Sequence, residues 1–181
     1  MDKEYIARIK PKWNKYRHLW KKLEVPGKTI LLREGEVSKK IFVIDKGCAR
    51  QWFNNDGDDI SFQFFFEGDI LSSPESFRNG IPSPFNIETI EPTELRWIGM
   101  DDMEILKKDA EIYEYIIARS AERQAEFMRH FFTFLKYSPR QRYETLLQKK
   151  PEIVQRVPLQ YVASYLGITQ VSLSRIRNKK K

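Results

Sequence analysis

The segment VASYLGITQVSLSRIRNKKK, Val162 to Lys181, concentrates side chains able to hydrogen-bond and attract anions: Thr169, Gln170, Ser172, Ser174, Arg175, Arg177 and Lys179, with Val171 among them. Hydroxyls, an amide and guanidinium forks at this spacing make a polar, cationic strip. They do not make a nucleophile–base pair. From Ser138 to Lys181 there are 10 Lys+Arg against 2 acids, while the preceding residues carry 22 against 23, and the chain total is +7. The basic excess therefore belongs to the last quarter. That is the electrostatic footprint of a polyanion-binding module, the other reading of the charge being a solvated basic tail.

Three helices are expected to position these groups. Pro139 opens the first, with Tyr143, Leu146 and Leu147 facing inward. Pro158 suits the first helical position of the second, whose apolar residues are Leu159, Val162, Ala163 and Leu166. Gly167 stops that helix and permits positive φ. Thr169 caps the third helix, which Val171 or Leu173, with Ile176, holds in place. Ala163 is small because two helices cross beside it. Ala-x-x-x-Gly-x-Thr followed by Leu-Ser-Arg-Ile is the spacing of a helix-turn-helix. Attraction to phosphate and an aimed third helix are what entry into a DNA major groove requires.

From Met103 to Tyr137 a helical period runs until Pro139. Two apolar stripes lie along it: Ile112, Ile116, Phe127, Phe131 and Phe134, and beside them Tyr113, Ile117, Ala121, Met128, Phe132 and Leu135. A surface helix of one domain needs a single stripe, so the second predicts a homodimer. Periodicity does not choose the face. We assign Ile112, Ile116, Arg123, Phe127, Phe131 and Phe134 to the dimer contact.

Ahead of the helix, from Thr29 to Met100, the period is two. KTILL and KIFVIDKG read as strands, and ARQWFNNDGDDISFQFFF as a hairpin turning at Asn55-Asp56-Gly57. In its second arm Ile60, Phe62, Phe64 and Phe66 alternate with Ser61 and Gln63, predicting one buried face. Gly35, Gly47 and Gly68 punctuate the corners of an antiparallel roll, and NIETIEPTELRWIG gives two more strands around Pro92. Residues 72–84, rich in Ser and Pro, read as a long loop, either plain surface or a pocket edge. Met1 to about Glu24 reads as one or two short helices, with Ile6, Ile9, Trp13, Tyr16 and Trp20 on one face.

Several chemistries lack their parts. Cys48 is the only cysteine, which excludes an intramolecular disulfide or a thiolate cluster, and the two histidines do not make a metal site, so neither metal nor cofactor is expected. No phosphate-cradling glycine loop occurs. No apolar run spans a membrane and no signal core opens the chain, so a cytoplasmic, non-enzymatic protein is expected.

Taken together, the glycine-punctuated roll, the long helix and RVPLQYVASYLGITQVSLSRIR resemble the Crp/Fnr (cAMP receptor protein–like) transcription regulators along essentially the whole chain. FQFFFEGD and FNIETIEPTEL are similar to a short subgroup of Bacteroidetes type. The resemblance implies an α+β fold: an N-terminal antiparallel β-roll of the cyclic-nucleotide-binding jelly-roll kind (1–102), a long dimerisation helix (103–137) and a helix-turn-helix domain (138–181). It implies double-stranded DNA and a second copy as partners, and admits an unidentified small-molecule effector and RNA polymerase. Base-reading positions of the family match Gln170, Val171 and Arg175; Ser172 and Ser174 match phosphate or base-edge contacts, and Arg177 and Lys179 phosphate contacts. Where cyclic-nucleotide binders carry a Glu for the ribose and an Arg for the phosphate, this sequence aligns Ser73 and Ser83, with Glu75 and Arg78 nearby as substitutes; loss of that pair predicts no response to cAMP. The family's β-hairpin wing is expected to be truncated or absent after the third helix, with Lys179, Lys180 and Lys181 taking its phosphate contacts. The competing expectation is a small-molecule-sensing roll whose basic terminus meets RNA or a partner protein.

Overall fold

A computed structural model describes residues 12–178. Among the described residues eight strands form two antiparallel four-stranded sheets. In order along the chain they are β1 (Lys21–Val25), β2 (Ile30–Leu32), β3 (Ile41–Lys46), β4 (Ala49–Asn55), β5 (Asp58–Phe65), β6 (Ile70–Leu71), β7 (Asn86–Thr89) and β8 (Thr93–Ile98). One sheet has the order β1-β8-β3-β6, the other β2-β7-β4-β5. Their facing sides enclose Leu32, Phe42, Ile44, Ala49, Phe65, Leu71, Ile87 and Leu95. Phe42 and Ile44 are the buried half of the β3 alternation, as its pattern predicts.

Local chemistry sets the corners. Asp56 (φ 51°) and Gly57 (φ 97°) form the two-residue turn of the β4–β5 hairpin, matching the strand twist. At Gly47 φ is 108°, and an added Cβ would lie 2.8 Å from the Thr93 Cα, so the position admits only glycine.

Seven α-helices follow from or interrupt this roll: α1 (Pro74–Asn79), α2 (Met100–Lys107), α3 (Ala110–Lys136), α4 (Pro139–Lys149), α5 (Pro151–Arg156), α6 (Leu159–Tyr165) and α7 (Gln170–Asn178). Asp109 separates α2 from α3: its carboxylate accepts from the Ile112 amide and from the Tyr16 hydroxyl. At 27 residues α3 is ~40 Å long.

Five expectations need correction. Lys21–Val25 is a strand, not the end of a helical segment. It is an edge strand, with Leu23 and Val25 packed on the roll core and lysines outward. The 72–84 segment contains α1, started by Pro74 and ended by left-handed Gly80. The C-terminal region has four helices, because Pro151 starts a new one two residues after α4 ends. The break at Asp109 splits the helix expected to run from Met103. The end of strand β5 is buried on both faces, where one buried face was expected. A bulge at Phe62 lets β4 skip from Gln63 to Ser61 in register. Phe65 enters the roll core, while Phe64 and Phe66 face the other way into a cluster with Tyr143, Leu146, Ile153, Tyr161, Tyr165, Leu166 and Leu173. The C-terminal helices thus share a core with the roll. Full burial of a Phe or Leu side chain is worth ~1.5–3 kcal/mol, so this contact is a substantial part of the fold's stability. Ile6, Ile9 and Lys179 lie outside the described residues.

Candidate nucleic-acid interface

Two short helices and the turn between them build the site. Pro158 precedes α6 and brings no amide that would need a partner. The helix ends in a double backbone cap: the Gly167 amide donates to the Ser164 carbonyl at 2.9 Å, and the Ile168 amide to the Ala163 carbonyl at 3.1 Å. That pair of bonds requires the left-handed φ of 63° at Gly167. A Cβ there would also meet the Phe134 ring of α3 at 2.6 Å. The Thr169 hydroxyl oxygen then accepts from the Ser172 amide at 3.2 Å, starting α7. Ala163 is buried, as the crossing demands.

Helix α7 presents two sides. Leu173 is fully buried and Ile176 packs on the same cluster, which settles the inward set in favour of Leu173 over Val171. Val171 is 60% exposed. Thr169, Gln170, Arg175 and Arg177 are exposed, and Ser172 and Ser174 half-buried. Neither Arg175 nor Arg177 meets an acid among the described residues; Glu144 is bound to Arg140 instead. Two guanidinium groups, an amide and hydroxyls therefore stand on one accessible surface.

Beside the start of α7 lies the β4–β5 hairpin. Asp58, Asp59 and Ile60 form one wall of a cleft of about 620 Å³ whose other wall includes Gln160, Ser164, Thr169 and Gln170. The hairpin is tied to α6 from beneath. The Ser61 amide donates to the Ser164 hydroxyl at 3.1 Å. Arg50, 1% exposed, donates to Glu88 at 2.8 Å, Ser61 at 3.1 Å and Asp59 at 3.0 Å, and its guanidinium lies 3.7 Å from the Tyr161 ring centre. Further along, Arg156 binds Glu67 at 2.8 Å and also Glu91, and its charge and hydrogen bonds draw the Glu67 carboxyl down to about 2. His130 of α3 stacks on Tyr165 at 3.7 Å and donates Nε2–H to the Tyr165 carbonyl; burial pushes its pKa down to about 4, so it is neutral near pH 7. Sequence reading missed Arg50, Glu88 and Arg156. An arginine inside a strand next to an alanine reads as solvent-facing, and no local pattern announces a helix packed over it.

The aligned Ser73 and Ser83 and their neighbours Glu75 and Arg78 differ in exposure. Ser73 and Ser83 are buried, and the Ser83 hydroxyl donates to the Phe85 carbonyl at 2.8 Å. Glu75 and Arg78 are exposed on α1, where Arg78 donates to Asn79.

On α3 most residues assigned to the dimer contact also touch their own chain. Ile112 is fully buried and Ile116 packs on the same cluster. Arg123 donates to the Phe64 carbonyl at 2.7 Å, Phe127 meets Phe62 edge-on, and Phe134 meets His130 and lies against Gly167. These five of the six residues assigned to a partner contact their own chain, because the roll and C-terminal helices sit on that side. Phe127 and Phe134 remain 38% exposed all the same, and Phe131 is 48% exposed. Phe131 joins Tyr113, Ile117, Met128, Phe132 (55% exposed) and Leu135 (72%) in an open apolar stripe.

Among the described residues no helix is long and apolar enough to cross a membrane, and no group of three or more His, Cys, Asp or Glu is placed to hold a metal. Residues 22–109 match the family of the cyclic nucleotide-binding domain. No curated protein sequence matches the chain. Several solved structures share the fold. FixK2 from Bradyrhizobium japonicum is 17% identical with a TM-score of 0.75, over 88% of this chain and 83% of that one. The c-di-GMP responsive global regulator CLP of Xanthomonas campestris is 18% identical with a TM-score of 0.77, over 94% and 91%. A structure from Eubacterium rectale, assigned to the crp/fnr family of transcriptional regulators, is 19% identical with a TM-score of 0.73, over 93% and 85%.

Proposed function

We propose that this chain is a transcription regulator of the Crp/Fnr type, binding a two-fold symmetric DNA site as a homodimer through α7. The observation that carries the reading is the exposed face of α7, where Arg175 and Arg177 meet no acid among the described residues while Leu173 anchors the opposite side. Uncompensated guanidinium groups suit phosphate and guanine edges, the latter through O6 and N7. In this reading residues 1–102 are a sensor, 103–137 the connector and 138–181 the DNA-binding part. Arg175, Gln170 and Val171 read bases; Thr169, Ser172, Ser174 and Arg177 position the helix on the backbone, with Lys179 beyond it.

The second copy docks on the open stripe of α3 headed by Phe132 and Leu135, since an apolar patch of this kind on a soluble chain marks an interaction surface. Leu135→Glu is expected to convert a dimer to a monomer in sedimentation. Cyclic AMP is not the effector. The serines at the aligned positions carry no charge for ribose or phosphate, and thermal melting with millimolar cAMP is expected to show no rise, against ~2.7 kcal/mol for a ligand at 100 times its dissociation constant.

Gel shifts against genomic fragments test the proposal. Protected sites with inverted symmetry and an affinity falling steeply with salt support it. Retention of RNA in preference to duplex DNA would sink it.

A further inference from the structure

We propose that a cavity of about 240 Å³ between α3, α4 and the end of β5 is a binding site for a small aromatic carboxylate.

The charge on its walls is unbalanced. Arg123, Arg129, Arg142, Lys149 and Lys150 line it, with Glu126 the single carboxylate. Glu126 is already shared: it accepts from Arg123 at 3.0 Å and from Lys150 at 2.9 Å. Arg142 donates to the carbonyls of Leu166 and Tyr137, both at 3.0 Å, which uses two of its five N–H donors and leaves its charge uncancelled. Arg129 and Lys149 meet no acid among the described residues and are exposed at the rim. Three like charges around one opening repel each other, and an anion seated between them removes that repulsion.

Apart from Gln63, Thr133 and Thr145, the remaining walls are flat rings and aliphatic side chains. Phe64 and Tyr165 meet with ring centres 5.1 Å apart, His130 lies parallel to Tyr165, and Leu146 and Ile153 complete the floor. Such walls favour a planar ring, placed edge-on or offset. The volume lies below the ~300–1,000 Å³ of pockets for drug-sized ligands, so one or two fused rings fill it. An apolar cavity with a few convergent polar groups is the form a small-molecule site takes. Its walls come from the roll, the long helix and the C-terminal helices together. An occupant therefore fixes their relation, a regulatory consequence that rests on the function proposed above, whereas binding itself does not.

The test uses the full chain without DNA. 2-Naphthoate, its neutral twin 2-naphthalenemethanol and inorganic phosphate are compared by calorimetry and thermal melting. We expect 2-naphthoate to bind and raise the melting temperature, with at least ten-fold weaker binding of the twin and of phosphate. Arg129→Gln with Lys149→Gln should weaken 2-naphthoate at least ten-fold while the unliganded melting temperature does not fall, since two of the mutually repelling charges are gone. If the double variant folds poorly, Arg129→Gln alone should still cost several-fold. Absence of 2-naphthoate binding, equal binding of the twin or of phosphate, or unchanged binding by a folded variant overturns the site. Because no readout involves DNA, these results are separable from failure of the regulator reading, which the gel shifts report.

Discussion

Arg50 and Arg175 are the same residue type put to opposite uses. Arg50 is enclosed between β4 and α6, with its guanidinium against Glu88, Asp59 and Ser61 and the Tyr161 ring above. Arg175 stands on α7 and meets no acid among the described residues. A neutralised guanidinium is part of the fold; an uncompensated one is left over for something outside it. The difference separates two kinds of basic residue that net charge counts alike.

The largest effect tests the first half of that contrast. Arg50→Ala strands Glu88 under α6 and should cost ~3–5 kcal/mol in urea unfolding. Replacing both partners, Arg50→Met with Glu88→Leu, should recover most of it, since an apolar pair of similar volume avoids the stranded charge. Next, Arg175→Ala should weaken specific DNA binding by ~1–3 kcal/mol and relax preference at one base pair, with stability unchanged within ~0.5 kcal/mol in the same urea unfolding. A stability loss comparable to that of Arg50→Ala would erase the distinction.

Acid should then loosen the contact that Arg50 helps make. His130 resists protonation from its ordinary 6.5 down to about 4, so the unfolded chain binds the extra proton over that window and stability falls as pH drops through it. Glu67, held from 4.5 down to about 2 by Arg156, adds a contribution present above 4.5 and lost as pH falls towards 2; the pair is partly exposed and screened, so its share is under ~1 kcal/mol. Melting His130→Phe and Glu67→Gln across pH 7 to 3 checks both, each variant flattening its own window. The smallest effect belongs to Arg177→Ala: a uniform weakening across DNA sequences and a salt slope shallower by ~1.

Much of the turn chemistry is legible in the amino-acid sequence. Asn55-Asp56-Gly57, Gly167 and Thr169 each act within a few residues of themselves, and each does what its type demands. Arg50 is not legible there, because its partners are 9, 11 and 38 residues away and the helix over it more than a hundred. The bulge at Phe62 defeats the period-two reading of β5 by moving Ser61 and Phe64 to the same side. The two stripes of α3 are visible, but which one faces home depends on where the C-terminal helices turn back, a matter of tertiary packing that periodicity does not carry.

One thiol records that packing. Cys48 sits at 0% exposure in the cluster shared by the roll and the C-terminal helices, and burial pushes its pKa up to about 12. An alkylating reagent can therefore reach it only in those moments when the terminal helices lift away, so the labelling rate of a single natural sulfur clocks how often the molecule comes apart at its seam.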